Sequence, residues 1–110
     1  MRPKDQVEKQ RIVFLVYHIH CEDCDEDYVG ESSQSLKARV DQHRWPSSTG
    51  SVVSQHINTM DPKHHVDIDS VQVLTTEEKW LERGIKEAIY IRALRPSLNR
   101  DDGRYDLPAI

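Results

Sequence analysis

Hydrophobic and polar positions in this chain alternate between strand-like and helix-like blocks. From Arg11 to Ile19 the run RIVFLVYHI is rich in β-branched and aromatic residues and predicts a buried strand. An acidic, turn-like stretch over Asp23–Asp27 follows, and Asp27–Gly30 opens the return strand of a hairpin. Ser32 or Ser33 caps a predicted helix over Gln34–Arg44, which Trp45-Pro46-Ser47-Ser48-Thr49-Gly50 breaks. Ser51 caps a second, short helix to Asn58, and a polar loop runs on through Pro62. Val71–Leu74 reads as a third strand. Thr75 and Glu78 form a capping box opening the longest helix, which continues to Leu94 and cannot pass Pro96. Residues 1–10 are charged and aperiodic, and are expected to be a flexible arm. The order β-β-α-α-β-α predicts a small α/β (α+β) domain over residues 11–102, with a tail at 103–110. Its three-stranded, mainly antiparallel sheet is flanked by helices.

Within this frame Glu87 stands out. At about 100° per residue, the apolar arc of the last helix holds Trp80, Leu81, Gly84, Ile85, Ala88, Ile91 and Leu94. Glu87 falls between Trp80 and Leu94 on that arc, while Glu82, Arg83 and Lys86 lie on the other side. A carboxylate on an apolar face must be paired, protonated or bound to a cation. It therefore serves either a buried ion pair with an arginine or a hard cation, since Mg²⁺ is held by few carboxylates plus phosphate oxygens. Arg39 and His43 lie one turn apart on the first helix, where they form either an ordinary polar face or a pair acting on a phosphate. Tyr17 and Tyr28 are strand residues suited to packing, yet the hairpin can bring both phenols to one end. Asn99, after Pro96, suits a turn.

Composition changes the picture twice. Among 110 residues, 31% are charged and 36% hydrophobic, which fits one domain with a modest core. No apolar run reaches membrane-spanning length, and Met1–Gln10 lacks a signal-peptide pattern. The formal net charge of −4 disfavours a stand-alone nucleic-acid binder, because phosphate neutralisation dominates such affinity. If the domain meets DNA, a longer polypeptide is expected to supply targeting. The only cysteines, Cys21 and Cys24, form a CxxC that points to an intracellular metal or redox site. With His56 and either His64 or His65 they make up a Cys₂His₂ set, the donor class of closed structural zinc sites. A redox pair, two free thiols and a disulfide remain as alternatives. His43, His18 and His20 are weaker candidate ligands.

Taken in order, these segments resemble the GIY-YIG nuclease superfamily over residues 12–102. More narrowly, they are similar to the zinc-clipped endonuclease domain of Penelope-like retroelements. Leu15-Val16-Tyr17 stands at the first tripeptide, with leucine for the usual glycine, and Tyr28-Val29-Gly30 is a close form of the second. The segment from Ser35 to His43 matches the arginine-bearing helix. Lys86-Glu87-Ala88-Ile89 matches the metal-binding glutamate helix, and Arg95-Pro96-Ser97-Leu98-Asn99-Arg100 the closing asparagine segment. Glu31 stands where repair-type relatives often carry lysine, which argues against the excision-repair branch. The resemblance implies a GIY-YIG-like fold and a DNA endonuclease with Mg²⁺ or Mn²⁺ at Glu87 and Arg39 on the scissile phosphate. It also implies Tyr17 or Tyr28 acting on the attacking water with His43, and Asn99 as support. Zn²⁺ on Cys21, Cys24, His56 and His64 (His65 as alternative) would be structural. The implied setting is a nuclear reverse-transcriptase polypeptide. The rival readings are a non-catalytic zinc-stabilised interaction module, a repair or structure-specific nuclease, and a redox protein.

Overall fold

A computed structural model describes residues 8–45 and 51–99. Its strands are β1 (Leu15–His20), β2 (Asp27–Ser32) and β3 (Gln72–Thr76). Its helices are α1 (Leu36–Arg44), α2 (Val52–Thr59) and α3 (Trp80–Leu94), with a 3₁₀ turn at Ile68–Ser70. The strands form one sheet in the order β2–β1–β3, antiparallel at both pairings. The chain is therefore a small α+β domain, with β1 as its central strand.

Both faces of β1 are covered, which is why the apolar run from Leu15 to Ile19 barely alternates. Leu15, Tyr17 and Ile19 pack with Leu36 and Val40 of α1, Val53 and Ile57 of α2, and Val66 and Val71. On the opposite face, Val16 and Val29 pack against Ile91 of α3. Burying each such Leu, Ile or Val contributes about 1.5–3 kcal/mol relative to exposure. No helix among the described residues is long and apolar enough to cross a membrane.

The boundaries depart from the sequence reading where tertiary partners intervene. β1 starts at Leu15, not Arg11, because Phe14 takes a left-handed backbone (φ 54°) that ends any strand before it. Residues 8–10 are helical rather than a frayed arm, and residues 1–7 lie outside the described residues. The tail at 103–110 and the last residues of the 11–102 domain also lie outside them. Ser35, not Ser32 or Ser33, caps α1 by accepting from the Ala38 amide at 3.2 Å. Ser32 is held in β2 opposite Leu15. Ser51 caps α2, accepting from the Ser54 amide at 3.0 Å.

The capping box does not form. Thr75 and Thr76 belong to β3, opposite Val16 and Leu15, and α3 begins only at Trp80 with no side-chain cap. The apolar arc of α3 is also rotated from the expected one. Arg83, Gly84, Glu87, Ala88 and Ile91 face inward, while Trp80, Leu81, Ile85 and Leu94 are exposed. Arg83 is buried because its charge is satisfied locally. Its Nε donates to Glu31 Oε1 at 2.6 Å, and Nη1 donates to the Glu77 and Glu78 carbonyls at 3.2 Å each. Its guanidinium also lies 5.6 Å from the Phe14 ring centroid. A buried charge with this many partners is tolerated where a lone one is not.

Candidate active site and metal centre

Tyr17 is the hub of the first cluster. Its side chain is fully covered, and its hydroxyl lies 2.8 Å from His43 Nε2 of α1. Arg39, one turn earlier on α1, donates from Nε to the same oxygen at 3.3 Å. With Arg39 supplying that proton, the phenol donates to His43 Nε2, and His43 Nδ1 donates to Ser51 Oγ at 2.6 Å. A chain of hydrogen bonds thus runs from β1 through α1 to the cap of α2. Tyr28 completes the cluster from β2, with its ring centroid 6.5 Å from Tyr17 and 5.6 Å from His43. Arg39 is aimed by a further pair. Its Nη1 donates to Gln42 Oε1 at 2.8 Å, and Gln42 Nε2 donates to Gln34 Oε1 at 2.7 Å.

Gly30 makes this packing feasible. It lies opposite Tyr17 in the β1–β2 register, and a Cβ there would sit 2.6 Å from the Tyr17 hydroxyl and 2.7 Å from Tyr28 Cε2. Both tyrosines lean over a position where only hydrogen fits. Gly30→Ala is expected to cost about 1–3 kcal/mol through overpacking, read as a lowered urea midpoint and a changed near-UV tyrosine signal.

The electrostatics sort the tyrosines. Burial, then the neighbouring Tyr28, pushes the Tyr17 hydroxyl well above the usual phenol range, and the nearby Glu87 carboxylate adds to that push. Arg39 opposes it without prevailing. Tyr17 therefore stays protonated, whereas Tyr28 is only half-buried. Burial and the Arg39 charge pull His43 down to about 3, so its imidazole is neutral.

That depression has a stability consequence. The unfolded imidazole titrates near about 6.5, so between that value and about 3 the unfolded chain binds the extra proton. His43 contributes its stability fully above the upper value and loses it as pH falls toward the lower one. Urea midpoints of the wild type should drop more steeply between about pH 6.5 and about pH 4 than those of His43→Gln. Parallel slopes would contradict a neutral, buried His43.

Glu87 comes from α3 and is 9% exposed, near enough that its charge acts on Tyr17. Asn99 has a different place. Its Oδ1 accepts from the Val29 amide at 2.8 Å, and its Nδ2 donates to the Val29 carbonyl at 2.9 Å. It thereby satisfies the outer edge of β2 and ties the segment after α3 to the strand bearing Tyr28.

The second cluster is the cysteine–histidine set. Cys21 and Cys24 lie in the bends between β1 and β2, closed by the Cys21 amide donating to the Glu26 carbonyl at 3.0 Å. They are not disulfide-bonded. Cys21 Sγ is 3.3 Å from His64 Nδ1, Cys24 Sγ is 3.3 Å from His56 Nε2, and the two histidine nitrogens are 3.3 Å apart. Zinc bonds of about 2.0–2.1 Å to nitrogen and 2.3 Å to sulfur give tetrahedral edges of about 3.3 Å (N–N) and 3.6 Å (N–S). All four donor atoms lie within 4.8 Å of one another, so the group could hold a metal ion and is compatible with structural zinc. His65 is not part of it. It is exposed, with its amide and Nδ1 on Asp23 Oδ2 at 2.7 and 3.1 Å. Burial raises the Cys21 thiol above its usual range, against which a bound cation would supply the opposing charge.

None of the family models, curated proteins or solved structures compared with this chain matches it. The chemistry therefore rests on the residues themselves. The structural roles of four of them escaped the sequence reading. Ser51 appeared only as a helix cap, Gly30 only as part of a tripeptide, and the Glu31–Arg83 pair joins residues far apart in sequence. The Ser51 position, eight residues after His43 (|i−j| = 8), offered a weak signal at best.

Proposed function

We propose that the chain is a metal-dependent DNA endonuclease domain that nicks a phosphodiester by in-line attack of water. The observation that carries this is the meeting of Arg39 and His43 of α1 at the Tyr17 hydroxyl, with the Tyr28 ring of β2 beside it and the Glu87 charge of α3 within electrostatic reach. Glu87 would hold Mg²⁺ or Mn²⁺, which supplies Lewis-acid stabilisation at the scissile phosphate. Arg39, held by Gln42 and Tyr17, meets the charge that develops on the phosphoryl oxygens. The covered, protonated Tyr17 positions Arg39 and His43. The half-buried Tyr28 is the phenol left to orient the water. Neutral His43 assists by fixing the Tyr17 hydroxyl, whose hydrogen bond it accepts at Nε2. Zn²⁺ in the Cys21, Cys24, His56 and His64 clip would be structural, binding the hairpin to the segment after α2.

The resemblance to Penelope-like endonucleases further favours a retroelement setting, with a reverse transcriptase on the same polypeptide, nuclear action and DNA as partner. In that setting the nick must present a 3′ hydroxyl as primer. Nicked plasmid made by the zinc-loaded chain with Mg²⁺ should therefore be extended by a DNA polymerase. Nicks ending in a 3′ phosphate, or no nicks, would overturn the reading. The net charge of −4 favours one alternative, a zinc-stabilised interaction module without catalysis, and this assay separates the two.

A further inference from the structure

Beyond the clip and the tyrosine cluster, a third set of ligating side chains converges. His18, His20 and Asp27 each offer a donor atom within 4.8 Å of the others. They share the face of the hairpin opposite Tyr17, since His20 pairs with Asp27 in the register and His18 lies two residues before it on β1. The two imidazole centroids are 4.1 Å apart. His18 Nε2 lies 2.7 Å from Asp27 Oδ2.

The carboxylate is fixed from behind. Asp27 Oδ1 accepts from the Ser97 amide at 2.8 Å and from the Ser97 hydroxyl at 3.1 Å, which leaves Oδ2 for the histidine side. An outer layer of this kind orients ligands in metal sites. The inner donor is buried while His20 is exposed, so an ion has an entry path from solvent. A simple ion pair explains His18 and Asp27 but not the His20 ring placed beside them.

We propose that His18, His20 and Asp27 form a further metal site, open to solvent and independent of the cysteine clip, for a borderline divalent cation of the zinc class. Two imidazoles and one carboxylate suit Zn²⁺, Co²⁺, Ni²⁺ or Cu²⁺ rather than Mg²⁺ or Ca²⁺. Three protein ligands leave at least one position to water. On entry the cation takes the place of the hydrogen bond between His18 Nε2 and Asp27 Oδ2, the neutral imidazole then carrying its one N–H on Nδ1. The pair then opens from 2.7 Å to about 3.3 Å, the edge set by metal bonds of about 2.0–2.1 Å. Filling this site clamps β1 to the start of β2 and, through Ser97, to the segment that carries Asn99. The site stands whether or not the chain cuts DNA.

The test uses protein already carrying one equivalent of Zn²⁺ in the clip, titrated with paramagnetic Co²⁺. The ring resonances of His18 and His20 should broaden first, and His20→Ala, an exposed position that leaves the core intact, should weaken the added binding by at least about tenfold. Asp27→Asn should do the same while the clip zinc stays bound. Broadening centred on other histidines, or Co²⁺ binding unchanged in His20→Ala, would overturn the proposal.

Discussion

Glu87→Ala is expected to leave a folded, clip-loaded protein that no longer nicks DNA. Glu87 lies on the inward side of α3 beside Gly84, Ala88 and Ile91, and its charge reaches the Tyr17 phenol. Under the proposed function this carboxylate, 9% exposed and within electrostatic reach of the Tyr17 phenol, would hold a hard cation against a phosphate. Losing that cation removes several kcal/mol of transition-state stabilisation, and about 1.4 kcal/mol is tenfold in rate. The nicking rate should therefore fall at least about a hundredfold. Clip zinc content and a cooperative thermal transition should persist, since Glu87 is not a member of the main apolar cluster built on Leu15, Ile19, Leu36 and Val53. A variant that cuts at the parental rate would remove Glu87 from the chemistry.

Cys24→Ser is expected to have the largest effect on stability. The clip connects the β1–β2 bends to α2 through His56 and to the following segment through His64, elements otherwise linked by a modest core. Structural zinc contributes apparent binding energies of about 10–16 kcal/mol in small zinc domains, comparable with the whole stability of about 5–15 kcal/mol of a typical domain. Losing as little as about 3 kcal/mol should lower the midpoint of thermal unfolding by roughly 12–24 °C for a domain of this size. Metal analysis of the variant should show the clip metal lost, and a chelator should destabilise the parent in the same way. His65→Ala, which removes the exposed side-chain contact with Asp23 and keeps the amide one, should keep both metal and midpoint. Equal metal content in Cys24→Ser and its parent would defeat the clip.

Strands and helices were legible where one local signal dominated. The run from Leu15 to Ile19 could only be a covered strand, and Ser51 was the sole serine placed to cap α2. Pro96 set a limit just beyond the last residue of α3. Where signals competed, distant partners decided. Ser32, Ser33 and Ser35 all precede α1, and Ser35 takes the cap because Ser32 is paired across from Leu15. Thr75 reads as a helix cap locally, yet its place opposite Val16 keeps it extended. Arg83 looked solvent-facing because its partner Glu31 lies 52 residues away (|i−j| = 52) and Phe14 further still. With Arg83 inward, Leu81 and Ile85 of α3 point outward.

The candidate site was legible as residue types in order, since tyrosine, arginine, histidine and glutamate each suit phosphate chemistry. Its internal division was not. Which phenol is sealed and which is accessible depends on Gly30 letting both rings lean over β2, and on burial that holds the Tyr17 proton in place. The neutrality of His43 likewise follows from its burial beside Arg39, a property of packing rather than of the R-x-x-x-H spacing. Asn99 read as a turn residue on its own and, through the resemblance, as support for the site; its bond pair to Val29 depends on β2 being the sheet edge.

The most direct test of the central claim is nicking of supercoiled plasmid at low salt by the zinc-loaded wild type with Mg²⁺ or Mn²⁺, with Glu87→Ala run beside it. Low salt gives an acidic chain its best access to DNA. The account predicts open circles from the wild type, none from the variant, and none from either when a chelator removes the free cation. Equal nicking by both proteins, or a folded and zinc-loaded wild type that leaves the plasmid intact, would contradict it.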